Sequence, residues 1–426
     1  MEKEFALLVR PDTQHRLRLA NSYHTVATRQ EDVMAEPHLL LAALADTDRL
    51  PDAPLSTHRL LIGTHTSNGA QNYLEIAHVQ LPNSNNKPDI NDYDAETGEI
   101  GGYGGGPSKK APPHVTFTVV QKIDHPGEVN KARYQPQNPD VIATMCTDGR
   151  VMIWNRTHHS SIPTGQVKPD IELHGHEKEG FGLSWSPHEV GHLASGSEDK
   201  TVRLWDITQV TKTNRLLHAS RTYTHHTAIV NDVQYHPIHK PLIGTVSDDL
   251  TLKILDTRSA ETSKSALTSG VGQHTDAVNA IAFNPVHDTL VATGSADHTI
   301  GIWDLRKLKE KMHVLQGHHS SVTSLAWHPF NEAILGSSSY DRRIMFWDLN
   351  KIGEEQTPEE SGDGPPELLF IHGGHTNRIS DFSWNLNDPW VVCSAAEDNL
   401  IQVWKPARGV LEEDDEEDVP IDELET

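Results

Sequence analysis

Leu193–Ile207 reads LASGSEDKTVRLWDI. Small, apolar and β-branched residues flank the polar Glu198–Asp199–Lys200, the pattern of a strand, a tight turn and a second strand. Asp199 falls in the turn, where its carboxylate can accept backbone N–H groups. Trp205 ends the second strand. His176 stands 23 residues before Asp199 and 29 before Trp205, and the same ruler recurs along the chain. From His125, His226, His274, His318 and His375, a step of 23 reaches Asp148, Asp249, Asp297, Asp341 and Asp398. A step of 29 reaches Trp154, Leu255, Trp303, Trp347 and Trp404. A step of 9 from all six histidines reaches Tyr134, Trp185, Tyr235, Phe283, Trp327 and Trp384, so eight of the nine tryptophans occupy two columns. The starts lie 51, 50, 48, 44 and 57 residues apart, so the interior of each unit is fixed and the linker varies.

This pattern resembles the WD repeat. The residues that carry the resemblance are the pairs Gly175–His176, Gly317–His318 and Gly374–His375, with Trp205–Asp206, Trp303–Asp304 and Trp347–Asp348. A period of ~40–50 with these signatures implies four-stranded propeller blades. Buried polar groups need partners, so the Asp, His, a strand Ser/Thr and the Trp of one blade are expected to share a hydrogen-bonded network. Six units run from His125 to Trp404. A seventh is expected from two strand-like runs within His58–Leu81 and a third in His114–Ile123, with Pro82–Pro113 as a loop. The glycine-rich GGYGGGPSKK within that loop lacks G-K-[ST] and reads as a linker. The expected organisation is all-β: an uncertain segment 1–55, a seven-bladed WD40 β-propeller over 56–411 and an acidic tail over 412–426.

Composition narrows the function. The chain has 426 residues, with 36 Lys+Arg against 60 Asp+Glu and a net charge of −24. Phosphate binding needs a basic footprint, so nucleic acid is excluded as the main ligand and basic partners are favoured. The tail, EEDDEEDVPIDELET, holds ten acids and no base and is expected to be disordered and dispensable for folding. No apolar run approaches the ~20 residues of a membrane helix, and no secretory signal is visible. Cys146 and Cys393 form no C-x-x-C, so a reducing compartment is expected and a cysteine zinc site is not. Of 28 histidines, His188 and His192 make one H-x-x-x-H inside the turn-like SPHEVGH, which argues against a metal site. No G-x-S-x-G occurs. The protein is expected to be non-enzymatic, with no cofactor and no metal.

Longer strings are more specific. STHRLLIGTHTS (56–67), EIAHVQLPN (75–83), GEVNKARYQPQNP (127–139), EKEGFGLSWSP (177–187) and ISDFSWNLNDPWVVCS (379–394) resemble the retinoblastoma-binding histone chaperone family of WD proteins. KIGEEQTPEESGDGPPELLFIHGGHT (351–376) does the same. That family provides the second subunit of type B histone acetyltransferase and the small subunit of chromatin assembly factor 1. The resemblance implies a nuclear and cytoplasmic histone-binding subunit whose partners are histones H3 and H4 and an acetyltransferase catalytic subunit. Chromatin assembly factor 1, deacetylase and Polycomb complexes are further implied partners. It places the first helix of histone H4 against Glu359, Glu360, Ser361, Gly362, Asp363, Pro365, Pro366 and Leu368, with Val410 on the other wall. Acids beside rigid prolines and an apolar run suit a basic amphipathic helix. The H3 tail is implied at the axial mouth, on Glu128, Asn130, Lys131, Glu179, Phe181, Asn231, Asn279 and Glu397. An acetyltransferase contact is implied near Asp288.

Three departures from the family pattern stand out. Asn231 is an amide where an acid is expected, and Ser321 and Thr323 replace an acid–aromatic pair, which should weaken or reshape H3 binding. Residues 1–55 contain no Glu-Trp-Pro string and no Trp, and Glu31–Leu50 shows only a short helical apolar face. Neither the second wall of the H4 groove nor ring closure is therefore assigned to that segment. A cullin ubiquitin ligase receptor is the alternative from another class, resting on Trp303–Asp304–Leu305–Arg306 and its echo Asp256–Thr257–Arg258.

Overall fold

Each histidine-to-tryptophan unit folds as three antiparallel strands, and the run before the next histidine supplies a fourth. Blade three shows the plan: Gly182–Trp185, His192–Gly196, Val202–Asp206 and Arg221–Tyr223, with Leu193 opposite Trp205. The structure is a computed structural model that describes residues 23–27, 37–48, 55–66, 70–82, 93–94, 99–100, 116–211, 215–358, 360–362 and 364–406. Glu359, Asp363, Val410 and the tail 412–426 lie outside the described residues.

Seven such sheets form the propeller. Blade one comprises Pro37–Asp48, Leu55–Thr66, Asn72–Pro82 and Thr116–His125. The innermost strands of blades two to seven are Val129–Gln135, Gly182–Trp185, Val230–Tyr235, Val278–Phe283, Val322–Trp327 and Ile379–Trp384. One apolar cluster fills each seam, as where Leu325 and Trp327 of blade six pack on Ala280, Ala282 and Ala292 of blade five. The last seam joins Leu60, Ile62 and Val79 of blade one to Val391, Cys393 and Val403 of blade seven. Tyr23–Ala27 is the outer strand of blade seven, antiparallel to Ile401–Lys405, so the N-terminal region does close the ring.

Two expectations are corrected. The run expected to carry a helical face within Glu31–Leu50 is the inner strand of blade one, Pro37–Asp48. Its sheet position between blades two and seven imposes extended backbone on an apolar run whose period is ambiguous. The loop Pro82–Pro113 contains a small hairpin, Tyr93–Asp94 with Glu99–Ile100. Blade two also gains a fifth strand, Leu216–His218, which pairs in parallel with Ile171–His174 and covers its outer edge.

The expected polar network forms in four blades. In blade five, Trp303 Nε1–H donates to Thr293 Oγ1 at 2.7 Å, and that hydroxyl meets His274 Nε2 at 2.8 Å. With the hydroxyl proton turned to Nε2, the other ring proton sits on Nδ1 and donates to Asp297 at 2.8 Å. Blades three, six and seven repeat this through Ser195, Ser337 and Ser394. Blade four has Leu255 in place of the indole, and His225 Nε2 takes the vacated place on Thr245 at 3.1 Å. In blade two, His125 turns Nδ1 to the Gly127 carbonyl at 2.7 Å, while Asp148 binds Arg150. Asp199, Asp249 and Asp297 are all held well below the usual carboxylate range by these hydrogen bonds, against the opposing effect of burial. Each turn aspartate also takes the N–H two residues on, as Asp199 does from Thr201 at 2.9 Å. The intervening residue is left-handed, with φ between 63° and 70° at Lys200, Leu250, His298, Arg342 and Asn399.

Candidate functional site

The turns that carry these aspartates, together with the segments entering each innermost strand, form the upper face. In blades three to seven the N–H of the residue before the turn aspartate donates to the carbonyl of the third residue after the blade histidine. The pairs are Glu198 to Glu179 (2.9 Å), Asp248 to Ile229 (3.0 Å), Ala296 to Ala277 (2.8 Å), Tyr340 to Ser321 (3.0 Å) and Glu397 to Arg378 (2.9 Å). Two sequence columns thereby become one ring around the axial mouth. The expected rim residues Glu179 and Glu397 belong to it. Glu198, Asp248 and Tyr340 share the column of Glu397 and were legible from its spacing to the turn aspartate.

The other expected rim residues divide. Phe181 is 45% exposed and lies on the face. Glu128 reaches the face but pairs with His65 of blade one at 3.0 Å. Asn130 is 1% exposed and donates to Glu179 at 2.8 Å across the seam. Asn231 donates to Asp248 at 2.8 Å and to the Val278 carbonyl of the next blade at 3.0 Å. Asn279 likewise binds Ser321 Oγ at 2.8 Å and the Val322 carbonyl at 2.9 Å. These amides tie neighbouring blades together. Asp248 supplies beside Asn231 the carboxylate that Asn231 itself lacks. Lys131 is displaced from the rim: its Nζ lies 3.8 Å from Asp381 of blade seven, with Arg133 on the same carboxylate at 3.2 Å. Burial lowers the Lys131 pKa, helped by Arg133.

The acidic loop lies on the lower face, between Ile344–Asp348 and the outer strand Leu368–His372 of blade six. Glu360–Gly362 forms one 3-10 turn, and Ser361 and Gly362 are exposed. Gln356 Nε2 donates to the Gly364 carbonyl at 3.1 Å, and Leu368 N–H to the Pro365 carbonyl at 2.9 Å. These clasps hold Pro365 and Pro366 half-buried at the loop's base. Leu368 is a correction: only 5% exposed, its side chain belongs to the core seam around Trp347. Asp288 also lies on the lower face, in the loop after Val278–Phe283. Its carboxylate meets His239 Nε2 at 2.9 Å and its carbonyl meets His236 Nε2 at 2.8 Å, joining blades four and five. His188 meets the His236 carbonyl there at 3.1 Å. Arg306 and Arg258 fold back on their own Asp304 and Asp256 at 2.7 and 2.6 Å, a local role for the strings behind the ligase alternative.

Over 389 residues the chain is 72% identical to histone acetyltransferase type B subunit 2 of Aspergillus oryzae, covering 91% of this chain and 88% of that relative. The chain belongs to the histone acetyltransferase type B subunit 2 family. The relative of that name from Gibberella zeae is 65% identical over 369 residues, 86% of this chain and 84% of its own. The one from Neurospora crassa is 62% identical over 377 residues, 88% and 84%. Matches to the WD domain, G-beta repeat, cover residues 168–206, 266–304, 309–348 and 366–405. Each contains one of the four complete histidine–aspartate–tryptophan networks, while the units of His125 and His226, which lack one member, lie outside. A further match, to the family of the histone-binding protein RBBP4 and its counterpart in the CAF1 complex, covers residues 23–83. It spans the ring-closing strand and most of blade one, so residues 23–55 carry family pattern where the sequence reading saw divergence.

Proposed function

We propose that this protein is the non-catalytic histone-binding subunit of a type B histone acetyltransferase and holds newly made histone H4 for a separate catalytic subunit. The observation that carries the reading is the match over residues 23–83 to a histone-binding protein, within a chain 72% identical to a type B subunit 2. The acidic upper rim and the acidic blade-six loop supply the matching chemistry for basic histones. In this reading the loop 359–366 receives the H4 helix, the upper mouth receives the H3 tail, and the lower face around Asp288 meets the catalytic subunit. Residence in nucleus and cytoplasm, and sharing with chromatin-assembly, deacetylase or Polycomb complexes, extend the same proposal.

The test is calorimetry with an H4 first-helix peptide. Changing Glu359, Glu360 and Asp363 together to Lys should weaken binding at least ~10-fold, mostly through repulsion, with the circular-dichroism spectrum retained. Wild-type binding should also weaken with salt. Equal affinities in a folded variant would remove the loop from the H4 site. For the second contact, Asp288→Lys should reduce co-purification of the catalytic subunit. Unchanged recovery, with cross-links elsewhere, would move that contact off the lower face.

A further inference from the structure

The upper ring has one inconsistency of charge. In blades two to seven its two columns hold Glu128, Glu179, Ile229, Ala277, Ser321 and Arg378, then Thr147, Glu198, Asp248, Ala296, Tyr340 and Glu397. Among these twelve side chains Arg378 is the only base and Tyr340 the only aromatic. The two meet across the seam between blades six and seven: the Arg378 guanidinium lies 4.9 Å from the centre of the Tyr340 ring. Tyr340 is 43% exposed, and Arg378 is exposed.

The position matters as much as the pair. Tyr340 N–H is bonded to the Ser321 carbonyl at 3.0 Å, so the ring is anchored beside Ser321 and the start of the innermost strand. Ser321 and Thr323 beside it are small and polar, so neither offers an aromatic face. Thr323 is committed elsewhere, its hydroxyl 3.0 Å from Ser338 Oγ and 3.3 Å from the Ile379 carbonyl. Tyr340 therefore supplies the aromatic face of blade six at the mouth. The stacked guanidinium shows that this face accepts a planar cation, the arrangement in which a ring quadrupole attracts Arg.

We propose that Tyr340 is a guanidinium-binding platform of the mouth, that Arg378 occupies it in the free protein, and that a basic side chain of the H3 tail binds by displacing Arg378. The proposal rests on the reading of the mouth as the H3-tail site. Charge complementarity selects the occupant: Glu179, Glu198, Asp248 and Glu397 line the same mouth on blades three, four and seven and attract a basic segment, while Arg378 opposes it. Arg378 is thus a built-in competitor that sets how basic an incoming tail must be. Displacement leaves it beside Glu397, whose N–H is bonded to the Arg378 carbonyl at 2.9 Å.

The experiment is fluorescence anisotropy of an unmodified H3 N-terminal tail peptide with the full chain at two salt concentrations. Arg378→Gln should bind ~3-fold more tightly, since it removes both the competitor and a like charge. Tyr340→Ala should bind ~2–5-fold more weakly, and Tyr340→Phe should restore wild-type affinity because the π face remains. In the Tyr340→Ala background, Arg378→Gln should gain less than it does alone. Glu179→Lys separates the two levels of the argument. If it weakens binding but Tyr340→Ala and Arg378→Gln change nothing, the platform is overturned and the mouth stands. If Glu179→Lys also changes nothing, the H3-tail reading of the mouth falls with it.

Discussion

At the scale of single residues, burial disfavours the charged form of several imidazoles, those of His176 and His274 in the blade networks among them. Desolvation dominates and lowers the pKa of His125 and His328 to about 4 and of His225 to about 3, with His176, His226, His236 and His274 shifted the same way. An imidazole whose folded pKa is depressed contributes stability that is fully present above the unfolded value near 6.5. That stability is lost as pH falls below it, because the unfolded chain takes protons the folded one refuses. His125 and His328, 0% and 2% exposed, should each lose ~2 kcal/mol of stability between pH 7.5 and pH 5. The paired carboxylates, shifted down, hold their contribution until pH falls below ~4. Thermal melts should therefore fall steeply between pH 6.5 and 5, before any carboxylate is lost. A flat melting temperature to pH 4.5 would show the imidazoles to be charged in the folded state. The 9-, 23- and 29-residue columns made these networks legible, because a buried ring, hydroxyl and carboxylate must meet at fixed places in a repeated strand frame. The partner of His125 was not legible. The spacing to Asp148 is kept, yet that carboxylate binds Arg150, whereas in blade six Arg343 stands at the same step and Asp341 keeps its histidine.

At the scale of strands and loops, the seams decide. Trp185, Trp327 and Trp384 donate their indole N–H to the Arg133, Ala282 and Ala326 carbonyls of the preceding blade at 2.9, 2.9 and 3.0 Å. Where the column holds Tyr235 or Phe283, the preceding blade instead sends a side chain to the backbone: Ser184 Oγ accepts from Tyr235 N–H and Gln234 Oε1 from Phe283 N–H. Each of these five seams keeps a hydrogen bond by one route or the other. Blade seven adds a separate dependence, on Tyr23–Ala27 along Ile401–Lys405. Removing residues 1–30 should bare that edge, lower the melting temperature by several degrees and promote association. Calorimetry and light scattering would show it, and an unchanged melt with a monomeric profile would deny the strand a closing role. The next strand in the chain, Pro37–Asp48, has a pattern open to a helix because Leu39, Leu40, Leu41, Ala42, Ala43 and Leu44 form an unbroken apolar run, which fits a buried strand and a buried helix equally. Only the partners on both sides settle it.

At the scale of the whole molecule, the two faces carry different groups. The upper face gathers carboxylates through a backbone bond repeated in five blades, and the lower face carries the acidic loop and Asp288. The sequence pattern specified the blades because packing is periodic. It specified the candidate sites less well because they are where the period breaks: a 57-residue interval, a tyrosine before one turn, an arginine after one histidine. Lys131 shows the limit. It sits in a rim position by spacing, yet Asp381 draws it into the axis from the far side of blade one, a partner no local reading supplies.

The pairing of Tyr23 with Lys405 also has a meaning in time. A ribosome adds ~5–20 residues each second, so ~20–80 s separate the making of the two strands. Throughout that interval the first strand has no partner, and blades two to six can assemble while blade one lacks its neighbour on the far side. Ring closure thus waits for the last blade to be made, and a nascent-chain chaperone has a defined object to shield: an apolar inner strand, Pro37–Asp48, waiting for Ile379–Trp384. A permuted gene that joins residue 405 to residue 23 through a short turn would make the closing pair a local hairpin, converting a contact between strands 374 residues or more apart into one between neighbours in the chain.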